Sequence, residues 1–235
     1  MIDVRPFAEL GHANHGWLDA RYHFSFSQYF NPERMHWGTL RVWNDDTIAP
    51  GGGFPTHPHS DMEIITYVRE GAITHKDSLG NVGRTEAGDV QVMSAGSGIR
   101  HSEYNLEPTE TRLFQIWILP DRKGHTPSWG TRPFPKAGRD GQFAVLASGH
   151  AEDADALRLN TDARVLGASL KQGQTISYPL GKDRLAYLVV AKGEITIEGK
   201  TLHERDGAAI ADMDSVTLTA ASDAELVMVE TPSIA

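Results

Sequence analysis

The chain carries the same short pattern twice, and this repeat constrains its fold more than any other feature. In each copy an apolar run ends at a glycine turn, a second run follows, and a further glycine leads into a third; the copies begin near Tyr67 and Leu188. Runs this short, bounded by glycine and rich in β-branched residues, are typical of strands joined by tight turns. The repeat therefore predicts two similar β domains in tandem.

Glycine and proline punctuation supports the same fold class. The 235 residues include 23 Gly and 12 Pro, and long helical periodicity is hard to find. This composition favours an all-β barrel or sandwich. We predict a first barrel over residues 1–120, a connection rich in proline and glycine over 121–140, and a second barrel over 141–235.

Two short motifs, His57-Pro-His59 and His101-Ser-Glu103, predict a metal site in the first half. In a strand, side chains at i and i+2 point to the same face, so each motif presents two ligands side by side. The 41 residues between the motifs read as strands and turns, which can return the chain to the same barrel wall. Three imidazoles and one carboxylate would form a mixed nitrogen and oxygen site.

The ligand set favours an accessible metal over a structural one. A structural zinc normally has four tetrahedral ligands, often including cysteine, and keeps no open position. This chain has no cysteine. Imidazole and carboxylate ligands suit Fe(II), Mn, Ni, Co, Cu or Zn, so the sequence predicts one divalent transition metal without choosing firmly among them. The second copy of the repeat contains no His-x-His sequence, so we expect a metal only in the first barrel.

Two further polar residues are candidates for the pocket. Strict alternation from His57 and His59 would place Glu63 on their face, where it could be a fifth ligand, a hydrogen-bond acceptor for an imidazole, or a barrel-lining residue; we favour the acceptor. Gln115 is a polar residue in an apolar run and either lines the pocket or is a satisfied core amide. The remaining histidines lack paired spacing and are interpreted as surface or core residues: His12, His15, His23, His36, His75, His125, His150 and His203.

The motifs resemble those of the cupin family. The residues that match its two motifs are Gly51, His57, His59 and Glu63, then Gly88, Gly96, His101 and Asn105, with Ser94 where the second motif usually has proline. The longer string from Ser94 to Glu103, with His-Pro-His upstream, resembles the pirin family, a branch of the cupins. That resemblance implies a bicupin, two jelly-roll barrels with one metal in the N-terminal barrel. It also implies that Glu103, and not Glu63, is the carboxylate ligand.

The pirin resemblance implies an activity. Bacterial pirin-like proteins of this type are associated with quercetin 2,3-dioxygenase activity, which here implies Fe(II) as the first choice of metal, with a flavonol and O2 as substrates. Glu103 is the carboxylate at the predicted centre, so it is also our candidate for the base that accepts the substrate's hydroxyl proton. Two alternatives stay open: a non-enzymatic metal-dependent regulator of a partner protein, and a cupin that isomerises or binds a small metabolite.

Composition excludes several other classes. The net charge of −9 is spread along the chain, and no Lys/Arg cluster suggests direct binding to nucleic acid. No stretch approaches the roughly 20 apolar residues that a membrane span needs, and the N-terminus lacks the apolar core of a signal peptide. The absence of cysteine suits a reducing compartment. We therefore expect a cytoplasmic protein.

Overall fold

The chain is built from β-strands. A computed structural model describes residues 1–134 and 139–233; no α-helix occurs within these ranges, and Phe7–Glu9 forms a short 3-10 helix. The all-β prediction is confirmed. Residues 135–138 of the predicted connection and 234–235 of the predicted second barrel lie outside the described residues. No helix in the described part is long and apolar enough to cross a membrane.

Each half of the chain supplies about the same number of strands. In chain order, the strands before residue 134 are β1 (Ile2–Arg5), β2 (Gly11–Asn14), β3 (Leu18–Tyr22), β4 (Leu40–Ile48), β5 (Gly53–His59), β6 (Glu63–Glu70), β7 (Ala72–Asp77), β8 (Val82–Glu86), β9 (Val90–Ser94), β10 (Ile99–Tyr104), β11 (Thr111–Ile118) and β12 (Ser128–Arg132). Those after residue 139 are β13 (Ala144–Ser148), β14 (Leu157–Arg158), β15 (Arg164–Leu170), β16 (Thr175–Pro179), β17 (Arg184–Lys192), β18 (Ile195–Ile197), β19 (Lys200–Leu202), β20 (Gly207–Ile210), β21 (Ser215–Ala220) and β22 (Ala224–Pro232).

The strands form the same architecture twice. In the first domain a seven-stranded sheet, β12-β9-β6-β11-β4-β3-β2, accompanies a four-stranded sheet, β5-β10-β7-β8. In the second domain the seven-stranded sheet is β1-β20-β17-β22-β15-β13-β14 and the four-stranded sheet is β16-β21-β18-β19. The two-domain repeat predicted from the sequence is therefore present as two pairs of sheets.

Two edge strands lie outside the predicted boundaries. β1 falls within the predicted first barrel, yet it pairs with β20 in the second domain, with Ile2 opposite Ile210. β12 falls within the predicted connection, yet it pairs with β9 in the first domain. The structure differs from the predicted boundaries at these two places because an edge strand can join whichever sheet has a free edge nearby, which its own sequence does not encode.

The two large sheets pack face to face through one apolar layer. Its side chains come from both domains, and the rings of Trp43 and Tyr187 are 5.7 Å apart between centroids. Residues alternate between the two faces of a strand. On β4 and β11, Trp43 and Phe114 therefore face the second domain, while Asn44 and Gln115 face the interior of the first. This interior holds the candidate site.

Candidate metal centre

Three neighbouring strands bring the predicted ligands together. In the four-stranded sheet, β10 lies between β5 and β7. His101 on β10 is directly opposite His57 on β5, and Glu103 is opposite His75 on β7. A β-bulge shifts the pairing of β5 and β10 between His101 and Glu103. The pleat then places His57, His59, His101 and Glu103 on the inner face of the sheet, as the i, i+2 spacing predicts.

The imidazoles of His57, His59 and His101 form one compact group. Ring centroids are 4.5 Å apart for His57 and His101, 4.8 Å for His57 and His59, and 5.0 Å for His59 and His101. One nitrogen from each ring lies within 4.8 Å of the other two. These three side chains can hold a metal ion between them.

Hydrogen bonds fix which ring nitrogens carry lone pairs. His57 Nδ1 lies 2.7 Å from the carbonyl oxygen of Pro55, which can only accept, so this nitrogen carries the hydrogen. His75 Nε2 likewise donates to Asp77, 2.9 Å away. Neutral His75 then has a lone pair on Nδ1, which faces His101 Nδ1 at 3.4 Å and makes that nitrogen the donor. His57 and His101 are therefore both left with a lone pair on Nε2.

These two lone pairs face each other and repel, and a cation bound between them would remove the repulsion. His57 Nε2 and His101 Nε2 are 3.0 Å apart. Burial lowers the pKa of His101 to about 3 and that of His59 to about 4, with neighbouring imidazoles adding to the effect, so both rings are neutral at pH 7. Neutral imidazole with its other nitrogen hydrogen-bonded is the form that binds transition metals. The donor set therefore fits the predicted metal.

Glu103 is buried beside the imidazole group. Its carboxylate accepts hydrogen bonds from Gln115 Nε2 at 2.6 Å, Gln91 Nε2 at 2.7 Å and Thr66 Oγ1 at 3.4 Å. Burial raises its pKa to about 7, although these three hydrogen bonds oppose the rise. Glu103 forms a second group of candidate ligands with His75 and His101. Its role as the fourth ligand beside His57 and His59 stays a prediction.

A cavity of about 340 Å³ opens beside these groups. This volume is within the range of about 300–1,000 Å³ that is typical of small-molecule sites. Its wall combines aliphatic and aromatic side chains with polar ones. The first group is Leu18, Ala20, Tyr22, Phe26, Phe54, Pro55, Ile64 and Trp117, and the second is Asn44, Asp46, Thr56, His57, His59, His101, Glu103 and Gln115. Gln115, predicted as a pocket residue or a core amide, both lines this cavity and holds Glu103.

The expectation for Glu63 needs correction. Its carboxylate is fully buried and bonds Ser94 Oγ at 2.7 Å and the backbone N–H of Asn160 at 3.1 Å, so it faces the second domain. Alternation from His59 fails because the chain leaves β5 and turns before β6, with Asp61 at a φ of 49°. Glu63 therefore supports the contact between domains and does not line the cavity.

His75 is a site residue that the sequence interpretation missed. It is buried, bonds Asp77 and His101, and stacks on Trp129 with centroids 4.7 Å apart and planes 8° from parallel. Trp129 lies on β12, in the segment predicted to be a connection. Only its position in the sequence could have indicated this role. His75 lies on β7, between the two histidine motifs, and β7 pairs with β10, which carries the second motif.

Comparisons with known proteins agree with this architecture. Residues 3–118 match the family model described as Pirin, and residues 145–231 match the one described as Quercetinase C-terminal cupin domain. A pirin-like protein from Caulobacter vibrioides is 65% identical over 230 residues, 98% of this chain and 99% of its own. The quercetin 2,3-dioxygenase of Escherichia coli K12 is 43% identical over 235 residues, all of both chains.

A solved structure shares both the fold and the full length. The crystal structure of the bacterial pirin YhhW from Escherichia coli in complex with nickel(II) has a TM-score of 0.92 and 41% identity, covering 100% of both chains. Two cupin domains are therefore shown, and the resemblance drawn from the histidine motifs is confirmed. This chain belongs to the pirin family.

Proposed function

We propose that this protein is a metal-dependent dioxygenase that opens the heterocycle of a flavonol such as quercetin with O2 and releases carbon monoxide. The observation that supports this most is the cavity in which the imidazoles of His57, His59 and His101 lie beside apolar and aromatic side chains. Such a site can take a flat aromatic molecule together with a metal. The full-length relative named quercetin 2,3-dioxygenase adds support for the reaction.

The proposed cofactor is one divalent transition metal held by His57, His59 and His101, with Glu103 as the fourth ligand. Fe(II) is our first choice, and Mn, Ni, Co, Cu and Zn also suit these donors; nickel is the metal named for the bacterial pirin from Escherichia coli. When bound, the metal would supply Lewis acidity and a binding position for O2.

The protein's own contribution is to place the flavonol and remove one proton from it. Trp117, Phe26 and Phe54 line the cavity and would pack against the flat ring system while excluding water. Glu103 is the buried carboxyl of the site; burial raises its pKa to about 7 in the metal-free protein, and in the proposed reaction it would accept the proton of the 3-hydroxyl. Gln115 and Gln91 hold its carboxylate in place. Both O2 oxygens are then retained in the ring-opened ester, and one ring carbon leaves as carbon monoxide.

The direct test measures O2 consumption and carbon monoxide release with quercetin as substrate. Protein freed of metal is reloaded with Fe(II), Mn, Ni, Co, Cu or Zn in turn, and O2 uptake and carbon monoxide release are measured together. We expect one carbon monoxide per O2 for at least one metal, none for His57→Ala, and unchanged turnover for His12→Ala, whose imidazole is exposed and bonds Asp19. No carbon monoxide with any metal would contradict the proposal and favour a regulatory role.

The role of Glu103 has a separate test. Glu103→Gln keeps the size and one oxygen of the side chain but cannot take a proton near neutral pH. With metal occupancy matched, we expect turnover to fall by about 10²–10⁴-fold, the usual contribution of a general base. Equal turnover would leave the dioxygenase proposal in place and assign the base elsewhere.

A further inference from the structure

Two buried polar atoms in the cavity wall lack a partner. Asn44 is 5% exposed and Asp46 is 2% exposed, and both line the cavity. Among the described residues, neither Asn44 Oδ1 nor Asp46 Oδ1 has a hydrogen-bond partner. Buried side-chain oxygens are almost always paired. A group that enters the cavity would therefore satisfy them.

The sheet places these two residues in line with the metal centre. Asn44 is the register partner of Gln115, whose amide bonds Glu103. Asp46 follows two positions along β4, on the same face. A polar row thus runs from Glu103 through Gln115 to Asn44 and Asp46. Asp45, between them, points to the opposite face, where it bonds Arg69 and Arg205.

The surroundings of this row are apolar. On the adjacent strand β3, Tyr22 is opposite Asn44 and Ala20 is opposite Asp46. Leu18, two residues before Ala20, also lines the cavity. A matching ligand has an aromatic body with oxygen substituents at two separated positions, one for the imidazole end and one for Asn44 and Asp46.

We propose that Asn44 and Asp46 form a second recognition point, for a ring hydroxyl of the ligand, so that the site selects polyhydroxylated aromatic compounds. This inference rests on the proposed function for the identity of the ligand, a flavonol. The hydroxyl donates to the unpartnered oxygens while the 3-hydroxyl end faces the imidazoles. Flavonols that lack hydroxyls away from the 3-position bind more weakly.

The electrostatics of Asp46 agree with a neutral hydroxyl. Burial raises the pKa of Asp46 well above its usual value, and the nearby carboxylates of Asp45 and Glu103 raise it further. A neutral carboxyl group can both donate to and accept from a hydroxyl. An ionised carboxylate in the same position could only accept a hydrogen bond from the hydroxyl.

The test is the affinity ratio between two ligands, measured without O2 so that no turnover occurs. Quercetin is compared with 3-hydroxyflavone, which keeps the 3-hydroxyl and the neighbouring carbonyl but lacks the other hydroxyls. Binding is followed by quenching of tryptophan fluorescence, to which Trp117 in the cavity wall contributes. We expect wild-type protein to prefer quercetin by about 10-fold or more. Asn44→Ala and Asp46→Ala should reduce this ratio towards one.

Two further variants calibrate the result. Asp46→Asn keeps the size and a hydrogen-bonding group and should retain most of the preference. Leu18→Ala removes apolar surface from the same cavity. It should lower the affinity for both ligands by the same factor and leave the affinity ratio unchanged.

An unchanged ratio in folded Asn44→Ala and Asp46→Ala proteins overturns the inference, even if carbon monoxide release is normal. If these variants do not fold, equal wild-type affinity for the two ligands overturns it. An affinity ratio that falls towards one in the variants supports the recognition point. It does so even when no carbon monoxide is detected, because that result would contradict only the dioxygenase proposal.

Discussion

At the scale of single residues, the site depends on where hydrogens lie on the imidazoles. The carbonyl of Pro55 orients His57, and the pair His75 and Asp77 orients His101. Each of these partners fixes the tautomer of one imidazole. The lone pairs of His57 and His101 are then both on Nε2, and these two nitrogen atoms are 3.0 Å apart. Metal-binding histidines depend on such outer partners, whose loss typically costs about 10–100-fold in affinity.

We therefore expect His75→Phe to weaken metal binding. Phenylalanine keeps the ring that stacks on Trp129 but removes the acceptor for His101 Nδ1–H, so the ligand lone pair on Nε2 is no longer favoured. Competition with a chromogenic chelator should show an affinity about 10–100-fold lower. His75→Gln, which restores an acceptor oxygen, should lose less. Wild-type affinity in His75→Phe would rule out the orienting role.

The buried carboxyl of Glu103 predicts a pH dependence of stability in chelator-treated protein. Its pKa rises from 4.5 to about 7 on folding, so between these values the native state keeps a proton that the unfolded chain has lost. The stabilisation is complete below about pH 4.5 and is lost as pH rises through about 7, a change of about 3 kcal/mol. Glu103→Gln cannot ionise, so its stability relative to wild type should rise over this interval. Urea unfolding across the interval measures the difference, and parallel profiles would contradict the assignment.

At the scale of elements, the metal group depends on the pairing of β5 with β10. The pairing begins at Gly53, which is opposite Tyr104. A Cβ at Gly53 would lie 2.5 Å from the backbone oxygen of Glu103 and would overlap the Tyr104 ring. The close approach of these strands therefore requires glycine.

Gly53→Ala should push β5 away from β10 and so separate the histidine motifs. We expect a loss of about 1–3 kcal/mol in the free energy of unfolding, as for other overpacked sites, together with weaker metal binding. Gly130→Ala is the matched control because its Cβ would contact only Leu157 Cδ2, at 3.6 Å. Denaturant unfolding and metal titration of both variants provide the measurement. Similar behaviour of the two would show that the close approach is not needed.

The sequence predicted the parts of the site that depend on one strand at a time. Alternation within β5 predicted that His57 and His59 share a face, and alternation within β10 predicted the same of His101 and Glu103; the approach of the two pairs depends on the pairing of β5 with β10. Alternation failed for Glu63, because the turn at Asp61 resets the alternation before β6 begins. His75 could not be found in this way because its role depends on strand order, with β7 beside β10, and strand order is set by long-range pairing.

At the scale of the whole molecule, the domains share one apolar layer and a buried carboxylate, Asp45, that pairs with an arginine from each domain. Asp45, fully buried, bonds Arg69 Nη2 at 2.6 Å within its own domain and Arg205 Nε at 2.5 Å from the second domain. Arg69 is itself 5% exposed in its side chain. The neighbouring residues of β4, Asn44 and Asp46, face the cavity, so one strand links the domain contact to the binding site.

Asp45→Asn should destabilise the molecule strongly. Asparagine keeps the size of the side chain but leaves the buried guanidinium of Arg69 without a counter-charge, which typically costs about 3–5 kcal/mol. The exposed pair of Lys171 and Asp223 provides the control, since solvent screens this pair and Lys171→Gln should change stability far less than Asp45→Asn. Urea unfolding of both variants gives the comparison. A small effect for Asp45→Asn would show that water or rearrangement compensates Arg69.

The pairing of β1 with the second domain also affects the order in which the protein can fold during synthesis. Ile2 pairs with Ile210, so at about 5–20 residues per second the ribosome finishes the partner strand about 10–40 s after β1 has been synthesised. The second domain cannot close its sheet until then. A fragment that starts at residue 139 would leave the edge of β20 open to pairing with other chains. Appending Ile2–Arg5 to such a fragment would supply the missing strand.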